Sequence, residues 1–331
     1  MAITRVITAR RLLILIACSA ILLVATKWIS SPKISREDSP LKKTTEIVTN
    51  AKSSDTKELT SDKKATIEKS QSVRHATLKD ACPKAEQSLA SLGPDEKKTL
   101  LRHLIVDEKH KILYCYVPKA ACANWKKVIQ VMEGRYPSFE SIKKTNHTNL
   151  NFLVDYSPDE ISRRLSSYYR FTFVRHPLAR LVSAYRNKML EIKDYQLHYG
   201  RKIIQKYRKN FDPETKGDDV TFTEFVRFLL DSPVAKMNEH WQPFDRLCQP
   251  CVISYDFIGD YESLEDEANY VLEKSGTSVR WPPRQGFYKP TKDDEVKKFY
   301  GSVEMALVKR LVEKYQLDFT LFGYDPNRYL S

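Results

Sequence analysis

Glycine is scarce in this 331-residue chain, nine in all, and cysteine scarcer still, with six. So few glycines exclude a collagen-like repeat, and six cysteines over this length exclude a disulfide-stapled miniprotein. Long apolar runs are almost absent: residues 12–26 form the single one, which rules out a polytopic membrane protein. No glycine lies between Gly93 and Gly134, and the GxxxxGKS or GxxxxGKT pattern of nucleoside-triphosphate loops does not occur. Residues 31–80 lack glycine and every aromatic residue. Overall, 41% of the chain is hydrophobic, enough for a sizeable core, so a wholly disordered chain is excluded too.

Acids are in deficit, 42 against 55 Lys and Arg, a formal charge of +13. A basic total invites a nucleic-acid reading, but its distribution argues against one. Residues 1–30 carry four basic side chains and no acid, residues 31–80 carry 11 basic and 8 acidic ones, and +6 remains for the rest. Arg5, Arg10 and Arg11 before the apolar run, with Lys27 and Trp28 after it, predict a membrane span over 12–29 and a cytosolic tail at 1–11. No small-x-small site follows the run, which sets it apart from a cleaved signal peptide. The polar segment 30–95 reads as a flexible stem on the lumenal side, because it has too little apolar surface to offset its ordering entropy, or else as an exposed helix with Glu and Lys pairs. Beyond residue 80 lie 35 of the 36 aromatics and all nine glycines, so residues 96–331 read as one catalytic-size domain.

Two strand-turn-helix units stand out there. Residues 111–117 (KILYCYV) form an apolar, aromatic run stopped by Pro118, with a helix expected over 125–132. Residues 170–175 (RFTFVR) form the second, stopped by Pro177, with a helix over 178–191. The alternation predicts an α/β domain, a P-loop-like parallel sheet flanked by helices, with ligands at the carboxyl ends of the strands.

Both strand ends carry anion-binding chemistry. After the first come Pro118, Lys119, Ala120, Ala121, Cys122, Ala123 and Asn124, small residues that let backbone approach a ligand ahead of a helix N-terminus. At the second, Arg175 ends a buried strand and Ser183 lies two helical turns on, so a guanidinium fork and a hydroxyl could share one phosphate. Arg180 and Arg186 have a plainer reading as solvated helix charges. Two anion loops on two strands imply a ligand with phosphates at both ends of a nucleoside.

The two segments, VPKAACANW and FVRHPLARLVSAYR, resemble the 5′-phosphosulfate and 3′-phosphate loops of the Golgi carbohydrate sulfotransferases. The resemblance spans roughly residues 100–324. Residues 191–196, 217–222, 237–241 and 247–251 make the chain similar to the dermatan 4-O-sulfotransferases, with the chondroitin 4-O-sulfotransferases next. It implies 3′-phosphoadenosine 5′-phosphosulfate (PAPS) as co-substrate, a glycosaminoglycan acceptor, no metal, and a single-pass type II protein of the Golgi membrane. Carried over, Lys119 contacts the bridging region of the phosphosulfate and residues 118–124 wrap the 5′ end. Arg175 and Ser183 hold the 3′-phosphate within a loop that includes His176, Pro177, Leu178, Ala179, Arg180, Leu181 and Val182. His176 and Ala179 stand where the family usually has acids, which removes any role of those acids here.

Sulfuryl transfer to a sugar hydroxyl needs a group to take the proton. His147, between the two loops, resembles a His of related enzymes and ranks first; Glu239 and His240 rank second. Asn146-His147-Thr148 is the one N-glycosylation sequon, and a glycan on Asn146 would crowd His147. A disulfide involving Cys248, Cys251 or Cys82 is expected, with Cys115 and Cys122 as small core residues. The basic stretch Arg201, Lys202 and 206–209 is a candidate acceptor surface, or only a solvated helix face. Two rival classes remain: a lumenal kinase, which lacks its phosphate-loop pattern, and a non-catalytic polyanion-binding membrane protein, which leaves the paired loops unexplained.

Overall fold

The computed structural model describes residues 59–82, 88–143, 149–282 and 291–330. In chain order its main elements begin with helices α1 (Ser61–Ala81) and α2 (Pro94–His103) and strands β1 (Leu104–Asp107) and β2 (Ile112–Cys115). Helix α3 (Cys122–Met132), strand β3 (Asn151–Phe152), helix α4 (Pro158–Ser167) and strand β4 (Tyr169–Val174) follow. Then come helices α5 (Pro177–Leu190), α6 (Arg201–Tyr207), α7 (Phe222–Asp231) and α8 (Phe244–Cys248), and strand β5 (Phe257–Asp260). Helices α9 (Leu264–Lys274), α10 (Asp293–Gly301), α11 (Met305–Lys314) and α12 (Gln316–Phe322) complete the chain.

The strands form one sheet in the order β3-β1-β2-β4-β5. Strands β2, β4 and β5 are parallel, with Leu113 opposite Arg170 and Thr172 opposite Ile258. The parallel sheet expected from sequence is found at β2, β4 and β5, and the sheet as a whole is mixed, because β1 runs antiparallel to both β2 and β3. Only residues 108–111 join β1 to β2, too few for a crossover. Asp107 closes that turn by accepting from the amides of Lys109 (2.9 Å) and His110 (3.1 Å).

Side chains alternate across the sheet as strand geometry requires. Ile112, Tyr114, Phe171 and Phe173 face a cluster built on Trp125, while Leu113, Cys115, Val174 and Ile258 face a second one. Gly259 is dictated by the first cluster: a Cβ there would lie 2.3 Å from the Phe173 ring. Cys115 is bonded to Cys248, which corrects its expected role as a free core thiol, and Cys82 is bonded to Cys251.

Helix α1 departs most from the sequence reading. Segment 61–81 was expected as flexible stem, yet it is a 21-residue helix fastened to the edge strand β5. Its inward stripe is Ile67, Gln71, Arg74 and Leu78, spaced at helical intervals. The Gln71 amide donates to Ile258 O and accepts from Ile258 N, both at 2.9 Å, satisfying the sheet edge as another strand would. Arg74 donates to Ile258 O and to both oxygens of Glu267 on α9 at 2.8 and 2.9 Å. Ordering thus comes from polar anchoring to an unpaired edge rather than from apolar area. The expected span 12–29 and tail 1–11 lie outside the described residues; among those described, no helix is long and apolar enough to cross a membrane.

Candidate active site

Strand β2 delivers the chain to a loop whose backbone is unusual for its composition. Lys119 (φ 72°) and Ala121 (φ 64°) both adopt left-handed conformations without being glycine. Such residues cost on the order of 1–3 kcal/mol each and persist only where surroundings over-determine them. Here Ala120 is fully buried, its amide bonds Val117 O at 3.2 Å, and Arg175 Nη1 donates to Lys119 O at 3.1 Å. The second loop therefore clamps the first. Left-handed residues of this kind turn successive amides toward one concave side, an anion-receiving arrangement. Helix α3 starts directly behind it, with the amides of Asn124 and Trp125 closing on Ala121 O.

Cations converge on this loop at a cost in solvation. Lys119 donates to Asn187 Oδ1 at 3.1 Å, and burial, with Lys188 and Arg175 nearby, pushes its ammonium down to about 8. Lys126 is buried 3.5 Å over the Tyr116 ring, and Lys188 lies 4.4 Å over Tyr195; burial lowers both. Arg175, 8% exposed, lies 4.2 Å over Tyr261. Three partly desolvated lysines around one strained loop are poorly placed for an empty surface and well placed for a multiply charged anion.

A carboxylate and a neutral imidazole face this cationic group from the loop 238–243. Glu239 Oε2 accepts from Tyr116 OH at 3.2 Å and lies 3.3 Å from His103 Nε2. Burial raises its pKa, but the His103 contact and the nearby His240 and Lys126 outweigh burial and hold it at about 2. His240 is pushed down to about 3, mainly by burial and then by Lys188. Its Nδ1 lies 2.7 Å from Asn238 Oδ1, an acceptor, so Nδ1 carries the hydrogen and the lone pair sits on Nε2.

The sulfotransferase family model matches residues 102–325 of the chain, spanning both loops and the acidic one. The chain belongs to the sulfotransferase family. Its relatives include carbohydrate sulfotransferase 14 of Danio rerio, 48% identical over 78% of this chain and 72% of that protein. The Homo sapiens carbohydrate sulfotransferase 14 is 45% identical over 80% and 72%, and the Mus musculus carbohydrate sulfotransferase 11 is 43% identical over 70% and 69%. No solved structure matches the chain.

Family membership implies PAPS as sulfate donor, and the residues of this sulfotransferase fit such a group: a strained loop, a helix N-terminus and desolvated lysines sit together. Among the described residues, no group of three or more His, Cys, Asp or Glu is arranged to hold a metal ion. Pro118 to Asn124 and Arg175 lie at the strand ends as expected, and Ser183 is buried on α5. Cys122, the free cysteine among the described residues, opens α3, its thiol pushed up by burial.

Other expected residues are placed elsewhere. His176 turns from the loops to the C-terminal segment, its Nε2 2.9 Å from Asp325 O and its ring packed on Phe319, Tyr324 and Tyr329. Burial lowers it to about 4, so it is a neutral core residue. The side chains of Leu178, Ala179, Leu181 and Val182 join the core beneath α5, and Pro177 begins that helix. Arg180 donates to backbone carbonyls of the 238–243 loop. Asn146 and His147 lie outside the described residues. Two members of the basic stretch are paired: Lys206 with Asp231 (2.8 Å), and Arg208 with Asp219 (2.6 Å) and Glu224 (2.8 Å).

The sequence reading missed Tyr116, His103, Lys126, Lys188 and Asn187. Helical projection carries a signal for two of them: Lys126 lies four residues after Cys122, and Asn187 four after Ser183.

Proposed function

We infer that this sulfotransferase takes its sulfuryl group from PAPS and delivers it to the 4-hydroxyl of N-acetylgalactosamine in dermatan sulfate. One observation carries the reading: a glycine-free, left-handed loop at the end of β2 whose backbone, Lys119 and Arg175 are tied into one anion-receiving surface. The acceptor choice is supported by the motifs at 191–196, 217–222, 237–241 and 247–251 and by identity to the relatives named carbohydrate sulfotransferase 14. Chondroitin is the neighbouring acceptor, and a polyanion-binding membrane protein is the rival outside enzymes.

When bound, PAPS supplies a sulfuryl group activated by a phosphate leaving group. Lys119 holds positive charge where charge grows on that phosphate; loss of such a donor costs on the order of 10²–10³ in rate. Arg175 and Ser183 hold the 3′-phosphate. His147 takes the acceptor hydroxyl proton, and a fully occupied glycan at Asn146 counts against it. Glu239, kept ionised, and His240, kept neutral, orient the sugar. Two disulfides support an oxidising compartment, in keeping with a Golgi type II protein anchored by residues 12–29 and glycosylated at Asn146.

Full-length chain in detergent, given sulfur-labelled PAPS with desulfated dermatan and chondroitin side by side, tests this directly. Disaccharide analysis should find 4-sulfated galactosamine beside iduronate. Preference for glucuronate-bearing chains would move the assignment to chondroitin, and retention on heparin without transfer would reject the enzyme.

A further inference from the structure

Arg180 sits inside the segment that resembles a 3′-phosphate loop, yet its guanidinium is spent elsewhere. It is 2% exposed. Nη2 donates to Gln242 O and Nη1 to His240 O at 3.4 Å. Beneath the same loop, Tyr315 OH donates to Trp241 O, so three consecutive carbonyls are taken by side chains. Asp318 accepts from the amides of Phe244 (2.7 Å) and Asp245 (3.1 Å), and Asn238 O accepts from those of Trp241 and Gln242. The loop belongs to no helix or strand, so its backbone groups have no ladder to satisfy them.

Burying a guanidinium is costly, and an apolar residue of similar volume would often serve stability as well. What the arginine adds is geometry. Its fork reaches from α5, the helix that bears Ser183, to the carbonyls of His240 and Gln242, the residues on either side of Trp241. A rotation of those peptide units would swing the His240 ring from Asn238, which sets its tautomer, and Glu239 from Tyr116 and His103.

We propose that Arg180 is a positioning residue for the acceptor side: it contacts no phosphate, and it locks the Glu239–His240 loop to the helix carrying the 3′-phosphate residues. This rests on the functional reading above. Arg180 and Ser183, three residues apart on α5, share one face of that helix, so the same helix would align both halves of the reaction.

The test uses full-length Arg180→Lys, with Arg175→Met for contrast. Calorimetry first compares adenosine 3′,5′-bisphosphate with adenosine 5′-monophosphate, whose affinity ratio reports 3′-phosphate recognition without catalysis. Arg180→Lys should keep the wild-type ratio, whereas Arg175→Met should lose about 10- to 100-fold of it, the size of hydrogen bonds to a charged group. Kinetics should show kcat down on the order of 10²-fold in Arg180→Lys with the KM for PAPS unchanged, as expected for a misplaced catalytic loop. Should Arg180→Lys not fold, Tyr315→Phe removes one clamp on the same loop and should lower kcat with the same unchanged ratio. A collapsed ratio in Arg180→Lys would make Arg180 a phosphate ligand and overturn the proposal, as would wild-type kcat in the folded variants. Absence of transfer by the unmutated chain would instead sink the functional reading, with the nucleotide ratio still deciding whether Arg180 touches phosphate.

Discussion

Nucleotide binding should draw a proton into the site through Lys119. In the free protein its ammonium is pushed down to about 8 by burial, with Lys188 and Arg175 adding repulsion. A bound polyanion reverses the balance, since the low-dielectric surroundings that disfavour an isolated charge strengthen its attraction to an opposite one. At pH 8 about half the Lys119 side chains are neutral and all must become charged, so binding takes up about 0.5 proton; at pH 7 the uptake is about 0.1. Because binding raises the pKa, affinity is greatest below pH 8 and weakens about tenfold per unit above it. The assay is calorimetric titration of adenosine 3′,5′-bisphosphate at pH 8 in HEPES and in Tris, whose ionisation enthalpies differ. Phosphate monoesters titrate near pH 6, so their own protons do not interfere in that window. Lys119→Arg, charged throughout, isolates the contribution from Lys126 and Lys188 and should abolish most of the uptake. Buffer-independent heats at pH 8, or the same uptake in Lys119→Arg, would refute the assignment of Lys119 to the anion.

Arg74→Met leaves Glu267, itself 2% exposed, buried without its bidentate partner, and should cost about 3–5 kcal/mol. At roughly 2–4 °C per kcal/mol for a domain of this size, thermal melting should fall by about 10 °C; a loss under 2 °C would show that α1 is not fastened as described. His103→Gln removes the imidazole whose Nε2 lies 3.3 Å from Glu239 Oε2, so kcat should drop on the order of tenfold while affinity for adenosine 3′,5′-bisphosphate stays put; weakened nucleotide binding would place His103 on the donor side instead. Graded reduction with mass spectrometry should open Cys82–Cys251, which is partly exposed, before Cys115–Cys248, whose residues are fully buried. Simultaneous opening in the folded protein would contradict that order.

How legible the molecule is in its sequence depends on which force builds each part. Strands β2 and β4 lie within two residues of the apolar runs at 111–117 and 170–175, because a buried parallel strand reads as a continuous apolar stretch closed by proline. Helix α1 escapes such reading. Half of its inward stripe is Gln71 and Arg74, and its partner is an open strand edge that exists only after the sheet has formed. The loops at Lys119 and Arg175 are readable because chemistry and spacing coincide there. Tyr116, His103 and Lys126 reach the site from three separate elements, brought together by the β1–β2 pairing and the docking of α3, and no local pattern encodes that meeting. His176 fails in the opposite direction: its position in a motif points to phosphate, while its ring is claimed by Phe319, Tyr324 and Tyr329.

The loop at 118–121 shows what scarcity of glycine means for this fold. A glycine-rich phosphate loop reaches left-handed backbone freely and draws its rigidity from the ligand. Here Lys119 and Ala121 hold those conformations against strain, and the constraint comes from Arg175 gripping Lys119 O and from the buried Ala120. The loop is therefore set before a ligand arrives. Its shape depends on the second strand, so the two strand-end loops are mutually dependent, and Arg180 ties α5 to the loop 238–243 as well. Repulsion among Lys119, Lys188 and Arg175 and the desolvation of Lys126 act in the free protein, and a bound polyanion offsets both. A site with these properties gives up stability when empty and regains it on binding, in the direction that favours donor over bare solvent. The excess of basic over acidic residues is thus expressed most strongly where it is least solvated, around one loop with no glycine in it.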